Sequence, residues 1–122
     1  MANPSNNFAA WYGGTTEMSD RTLATLEAVF ADDTVFTVNG VVIGSSRAAI
    51  MSAIRGAVAA GWTHHNTLST AVNGDFMVGT YENQYADGST SKGAALVRFN
   101  ADNQAAEMVA MAEQSRIVDK LG

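Results

Sequence analysis

Apolar residues recur at helical spacing in the first half of the chain, whereas in the second half they alternate with polar residues as in strands. Leu23, Leu26 and Val29 show the first pattern. The chain is therefore predicted to form three helices and a short hairpin, followed by four long strands. The helices are placed at residues 6–12, 20–30 and 47–60, the hairpin at 34–43, and the strands at 62–72, 75–86, 89–100 and 104–116.

Polar residues mark the ends of the predicted helices. Ser19 is placed to cap the second helix, and either Ser45 or Ser46 to cap the third, because a serine hydroxyl accepts a hydrogen bond from a free backbone N–H of the first turn. Asp32 and Asp33 are expected to end the second helix and turn the chain into the hairpin. Both aspartates are therefore assigned a structural role.

Three tight turns connect the four long strands. They are predicted at Asn73-Gly74, at Asp87-Gly88 and at residues 100–103, where Asn and Gly adopt positive φ angles at little cost. Helices that precede a meander of strands are typical of an α+β domain, in which the helices cover one face of a curved sheet. Small side chains such as Ala95 and Ala110 would leave room for a ligand on the concave face, and they would equally let a helix approach closely.

Composition indicates a single globular domain spanning residues 1–122. Hydrophobic residues make up 47% of the chain and its formal charge is −5, so the sequence lacks the basic face that nucleic-acid binding requires. The absence of cysteine excludes disulfides, thiol catalysis and cysteine-ligated zinc. No segment reads as a signal peptide or a membrane span, and a cytoplasmic location is expected.

Several local motifs, in this order, resemble the SnoaL-like branch of the NTF2-like superfamily. The resemblance rests on FADDTVF at residues 30–36, GSSRAAI at 44–50, NGD at 73–75, DG at 87–88 and VRFN at 97–100, and it covers almost the whole chain. It implies an α+β barrel of the cystatin type, in which a cone-shaped, curved antiparallel sheet wraps around three N-terminal helices. It also implies an internal cavity for a small molecule and a homodimer formed through the sheet.

This superfamily includes ketosteroid isomerases, polyketide cyclases, epoxide hydrolases, dehydratases and plain binding domains, so the fold alone does not define a reaction. Tyr12 matches the first-helix tyrosine of the isomerases. The two isomerase acids have no counterpart, because the first-strand position falls on Val38 or Asn39 and the later position falls near Ala95. These departures argue against the same enolisation chemistry. The Arg-Asp-Asp network of the epoxide hydrolases has no evident counterpart either.

The two histidines, His64 and His65, are adjacent on the strand before the first turn. If that turn holds two residues, His65 lies opposite Glu82; a three-residue turn would place Glu82 opposite His64 or Asn66. Only one histidine can point inward, since successive strand residues face opposite sides. An inward histidine paired with Glu82 could act as a general base whose tautomer the carboxylate fixes, and the alternative is a pair at the sheet surface.

The strand that contains Glu82 has two distinct faces. Tyr81, Asn83 and Tyr85 share one face, and Thr80, Glu82 and Gln84 share the other. The aromatic set is assigned to a dimer surface and the polar set to the cavity, or the reverse.

Further residues are predicted to serve the pocket. Tyr12 could donate a hydrogen bond to a ligand carbonyl, or it could be a core aromatic residue. Two adjacent histidines on one strand cannot normally bind one metal ion, and no phosphate-binding motif is present, so neither a metal nor a cofactor is expected. The residues assigned to the pocket wall are Trp11, Phe36, Val38, Trp62, Thr80, Ala95, Met108 and Ala110.

The sequence thus predicts a small-molecule pocket protein of the SnoaL-like type, with a mostly apolar ligand that carries one or two polar groups. If it is an enzyme, we expect cofactor-free acid–base chemistry such as isomerisation, cyclisation, dehydration or hydrolysis. His65 or His64 would be the base, Glu82 would orient it and Tyr12 would donate a hydrogen bond. The alternative is a non-catalytic ligand-binding or dimerisation domain.

Overall fold

A computed structural model describes residues 15–112 of the chain. Within these residues an α+β fold is formed by two helices and one curved sheet of seven strands. The elements are β1 (Thr15–Glu17), α1 (Asp20–Val29), β2 (Phe30–Val38), β3 (Val41–Gly44), α2 (Arg47–Ala59), β4 (Trp62–Asn73), β5 (Phe76–Tyr85), β6 (Thr90–Phe99) and β7 (Ala105–Ala112). The first of the three predicted helices, at residues 6–12, lies outside the described residues.

Both helices begin at the predicted serine caps. The Ser19 hydroxyl accepts a hydrogen bond from the backbone N–H of Thr22, and the Ser46 hydroxyl accepts one from Ala49, so Ser46 rather than Ser45 caps α2. Each helix buries one face against the sheet. The buried helix residues are Leu23 and Leu26 of α1 and Ile50, Met51, Ile54 and Ala57 of α2.

The end of α1 differs from the prediction that Asp32 and Asp33 would terminate it. The helix ends at Val29, and Phe30 already has an extended backbone and begins β2. Phe30 is almost fully buried, and this burial favours an early departure from the helix because the ring enters the core. The two aspartates are exposed within β2, and Asp32 forms an ion pair with Arg47 at the start of α2.

The sheet has the strand order β1-β4-β5-β6-β7-β2-β3. Neighbouring strands are antiparallel, with the exception of β2 and β7, which run parallel. The three turns of the predicted meander are present, and the first lies one residue later than expected, because Asn73 pairs with Phe76 and leaves Gly74 and Asp75 as the loop. Gly74 there has a φ of 60°, as such a turn requires.

The two faces of the sheet are clearly distinguished by burial. On β5, buried and more exposed residues alternate, with Tyr81, Asn83 and Tyr85 buried on the inner face. The aromatic set of this strand therefore faces the interior and the polar set faces outward, so the tyrosines are not part of the outer surface. The inner face and the two helices enclose a single hydrophobic core. No helix among residues 15–112 is long and apolar enough to cross a membrane.

Candidate ligand-binding site

His65 is the histidine that points to the inner face of the sheet. Its ring is buried, with only 3% of the residue exposed, whereas His64 is half-buried and bonds through Nδ1 to the hydroxyl of the adjacent Thr63 at 3.0 Å. The register explains the choice, because His65 pairs with the inward Asn83 and His64 pairs with the outward Gln84. Of the two histidines, His65 is therefore the one that faces inward.

Asn83, and not Glu82, is the hydrogen-bond partner of His65. The Nδ1 atom of His65 lies 2.9 Å from Oδ1 of Asn83. Because an amide oxygen can only accept, Nδ1 carries the proton and donates it, and the lone pair of the neutral ring lies on Nε2. Asn83 is completely buried. It therefore holds the orientation and tautomer of the imidazole, the role that was predicted for Glu82.

The predicted pairing of a histidine with Glu82 is wrong, and the sheet register shows why. Glu82 lies opposite Asn66 on β4 and Lys92 on β6, and it faces outward. Two departures from the assumed hairpin produce this register: the turn lies one residue later, and Leu68 is an extra residue that forms a bulge in β4. Within residues 15–112 no hydrogen bond or ion pair joins Glu82 to either histidine.

Burial lowers the pKa of His65 from 6.5 to about 4, although the hydrogen bond with Asn83 acts in the opposite direction. The ring is therefore neutral at pH 7. Tyr81 packs against it with ring centroids 5.0 Å apart, and Trp62 approaches edge-on at 6.3 Å. Burial, with a smaller contribution from Tyr85, raises the pKa of Tyr81 to about 12, so its hydroxyl also keeps its proton.

A second polar pair lies on the same face, where the hydroxyl groups of Tyr85 and Ser91 are 3.0 Å apart and buried. The buried polar residues of the described chain are Thr34, His65, Asn83 and Ser91. None of these four is charged at pH 7, given the lowered pKa of His65. Among residues 15–112 there is also no group of three or more His, Cys, Asp or Glu side chains that could hold a metal ion.

Most of the predicted wall residues lie on the inner face, in the apolar core beside this polar cluster. Val38, Ala110 and Ala95 occupy neighbouring positions on three adjacent strands, and Phe36, Met108 and Val97 form the next row. Phe36, Val38, Trp62, Ala95, Met108 and Ala110 are all buried.

Thr80, like His64 and Glu82, lies outside the described site. Thr80 is exposed on the outer face, where its hydroxyl lies 2.6 Å from that of Ser69, so its assignment to the pocket wall is wrong. Trp11 and Tyr12 lie outside the described residues. Asn83 was missed as the partner of the histidine, although its place between Tyr81 and Tyr85 on one strand face was a signal that a polar group enters an aromatic interior.

No protein-family model matches the sequence, and no curated protein matches it either. Solved structures do resemble it. A protein of the SnoaL-like family from Agrobacterium tumefaciens is 17% identical with a TM-score of 0.66. The match covers 90% of this chain and 94% of that protein. An NTF2-like protein of unknown function from Burkholderia pseudomallei is 17% identical with a TM-score of 0.71, covering 99% and 98%.

A steroid delta-isomerase from Pseudomonas aeruginosa is 16% identical with a TM-score of 0.70, and the match covers 100% of this chain and 88% of that enzyme. At such identities the likeness establishes the fold and not the reaction. The chain therefore has the NTF2-like fold of the SnoaL-like proteins, and the resemblance inferred from the sequence motifs is confirmed at the level of the fold.

Proposed function

We propose that this protein binds a small, mostly apolar molecule against the inner face of its sheet. The observation that carries the proposal is the buried His65–Asn83 pair, which places polar hydrogen-bonding atoms in an otherwise apolar interior. Pockets for small molecules typically combine an apolar wall with a few convergent polar groups. Polar groups in a core cost stability unless they are satisfied, so their presence there favours a binding role over simple packing.

The wall of the proposed pocket is built from the small residues of the inner face. Ala95 and Ala110 lie opposite each other on β6 and β7, and Gly79 lies opposite Ala95 on β5. Trp11 and Tyr12, which the sequence assigns to the pocket, lie outside the described residues and stay part of this proposal as expected pocket residues. The cytoplasmic location expected from the sequence is part of the same proposal.

A filling substitution tests this pocket. The probe ligand is indanone, a small and mostly apolar ketone. Ala95→Leu should weaken the binding of indanone, measured by NMR titration. The thermal unfolding temperature should stay close to that of the wild type, because the added side chain enters the space of the ligand. The matched control is Ala94→Leu on the outer face of the same strand, which should bind indanone normally. If Ala95→Leu instead destabilises the fold by about 1–3 kcal/mol, as overpacking of a filled core does, the pocket does not exist at this position.

A second function, cofactor-free acid–base catalysis, is favoured specifically by the tautomer of His65. With Nδ1 donating to Asn83, the neutral ring offers Nε2 as a base, and a neutral base is the form that can accept a proton from a substrate carbon. The test is exchange of the protons beside the indanone carbonyl in heavy water. Catalysis would be supported if the exchange is faster than in solution and if this acceleration disappears in His65→Gln. Binding without accelerated exchange would indicate a non-catalytic binding protein.

We also propose a homodimer formed through the outer face of the sheet. Val78, Leu96 and Val109 lie side by side on β5, β6 and β7 and form an outer strip with exposures of 45%, 41% and 38%. Contiguous exposed apolar residues of this kind favour association, and a strip on a twisted sheet can pair with its own copy about a two-fold axis. The tyrosines first considered for this surface face the core instead.

A further inference from the structure

Two inward side chains near the centre of β5 carry hydrogen-bond donors that residues 15–112 do not use. The Nδ2 atom of Asn83 is buried and has no hydrogen-bond partner in this part of the chain. The hydroxyl of Tyr81, two positions earlier on the same face, likewise forms no hydrogen bond with the described residues. Leaving a buried donor such as Nδ2 of Asn83 unsatisfied is costly, and such groups often bind a ligand or a water molecule.

The orientation of each donor is determined by a neighbour. The Oδ1 atom of Asn83 is engaged by His65, so Nδ2 is the amide atom left to donate. Tyr81 extends across the sheet to β6, where Gly93 lies beneath its hydroxyl end: a Cβ atom on Gly93 would stand 2.6 Å from the Tyr81 Oη atom. The glycine therefore provides the space that this position of the ring requires.

The electrostatic surroundings select the ligand group that could accept from these donors. The buried polar residues of the described chain include no lysine or arginine, so an anionic group would lose its hydration without gaining a counter-charge. The raised pKa of Tyr81 keeps its hydroxyl protonated at pH 7, and the lowered pKa of His65 keeps that ring uncharged. A neutral oxygen acceptor satisfies the donors without introducing a charge.

We propose that Asn83 donates a hydrogen bond from Nδ2 to the neutral carbonyl oxygen of a ketone, ester or amide ligand. The Tyr81 hydroxyl is a second donor on the same face of the strand, and His65 and Gly93 are the residues that position the two side chains. This inference rests on the proposed pocket and specifies what that pocket selects. It assigns the ligand an apolar body with an uncharged oxygen acceptor, and it excludes free carboxylates and phosphates as preferred ligands.

The test uses three molecules with the same ring framework: indanone, indane and indane carboxylate. Indanone should bind about tenfold tighter than indane, as one or two net hydrogen bonds predict, and the carboxylate should bind more weakly than indanone. Asn83→Leu should remove the preference for indanone over indane. The matched control is Gln84→Leu, which changes an amide on the outer face of the same strand and should retain the preference.

A measurement on the wild-type protein guards against misfolding of the Asn83 variant. The side-chain amide NMR signal of Asn83, assigned by its absence from the Asn83→Asp spectrum, should shift with indanone and not with indane. Equal binding of indanone and indane, or preferred binding of the carboxylate, would overturn this inference while leaving the pocket intact. Binding of none of the three molecules would overturn the pocket, and the inference with it.

Discussion

Gly93 lies directly beneath the side chain of Tyr81 on the inner face of the sheet. A Cβ atom in ideal geometry on Gly93 would stand 2.6 Å from the Tyr81 hydroxyl oxygen, 2.7 Å from its Cζ atom and 2.7 Å from the backbone oxygen of Met111. Gly93 is thus required by close packing, since no real Cβ atom tolerates such distances. Because Tyr81 also packs against His65, the glycine on β6 helps to define the position of the histidine on β4.

Gly93→Ala should therefore lower the free energy of unfolding by about 2 kcal/mol or more, because the new methyl group meets both a ring and the backbone of β7. Urea unfolding followed by circular dichroism measures the loss. Adding Tyr81→Phe should recover little of it, since the ring carbon and the Met111 oxygen remain in the way. Full recovery in the double variant would show that only the hydroxyl limits this position.

The matched control is Gly56→Ala in α2. Gly56 is exposed within the helix and a Cβ atom there would contact nothing within 4 Å. Alanine should stabilise the protein by about 0.5–1 kcal/mol, because glycine is the poorer helix former. A similar loss at both positions would mean that the effect at Gly93 is not specific to its contacts with Tyr81 and Met111.

The buried, neutral state of His65 should make stability depend on pH. Its pKa falls from 6.5 to about 4 on folding, so between these values the unfolded chain binds a proton that the native protein does not. The contribution of His65 to stability is therefore fully present above its unfolded pKa of 6.5, and it is lost as the pH falls from 6.5 towards the native value of about 4. Between pH 7 and pH 5 the contribution of His65 should decrease by about 2 kcal/mol.

Comparison with His65→Gln isolates this contribution. The free energy of unfolding is measured in urea at both pH values for both proteins, and the difference between their pH dependences removes the effects of all other titrating groups. The wild type should lose about 2 kcal/mol more than the variant on going from pH 7 to pH 5. Equal losses in the two proteins would show that His65 is protonated as readily in the native state as in the unfolded chain.

The fold was accessible from the sequence because periodicity, serine caps and Asn-Gly or Asp-Gly turns are local signals. The site was less accessible because it depends on register. One extra residue, Leu68, and a turn displaced by one position together moved the partner of His65 from Glu82 to Asn83, which reverses the face of the sheet. Nothing local in the sequence of β4 specifies where a bulge will form. Strand pairings that are counted from the turn are therefore wrong for residues beyond the bulge.

Glu82 provides a direct check of this corrected register. Because its side chain is half-buried on the outer face opposite Asn66, Glu82→Gln should leave both indanone affinity and the pKa of His65 unchanged. An NMR titration of the imidazole in both proteins measures the second quantity. A fall in the pKa of His65 in the variant would indicate that the carboxylate does reach the ring, and would restore the pairing first expected from the sequence.

The outer strip leads to a prediction about assembly. Leu96 lies at its centre, between Val78 and Val109, so in a symmetric dimer each substitution acts twice. Leu96→Lys should raise the dimer dissociation constant by at least about a hundredfold, because two charges would be buried in an apolar contact. Sedimentation equilibrium should then give twice the chain mass of 12.8 kDa for the wild type and a single chain mass for the variant.

Val41→Lys is the matched control for this substitution. Val41, like Leu96, is an exposed aliphatic residue, but it pairs with the inward Val38 at the edge of the sheet and so lies away from the outer strip. The Val41→Lys variant should remain dimeric, because the added charge stays in water. If the wild type is a monomer at tens of micromolar, or if both lysine variants dissociate alike, the outer strip is not the dimer surface. Retention of indanone binding by monomeric Leu96→Lys would further show that the pocket is complete within one chain.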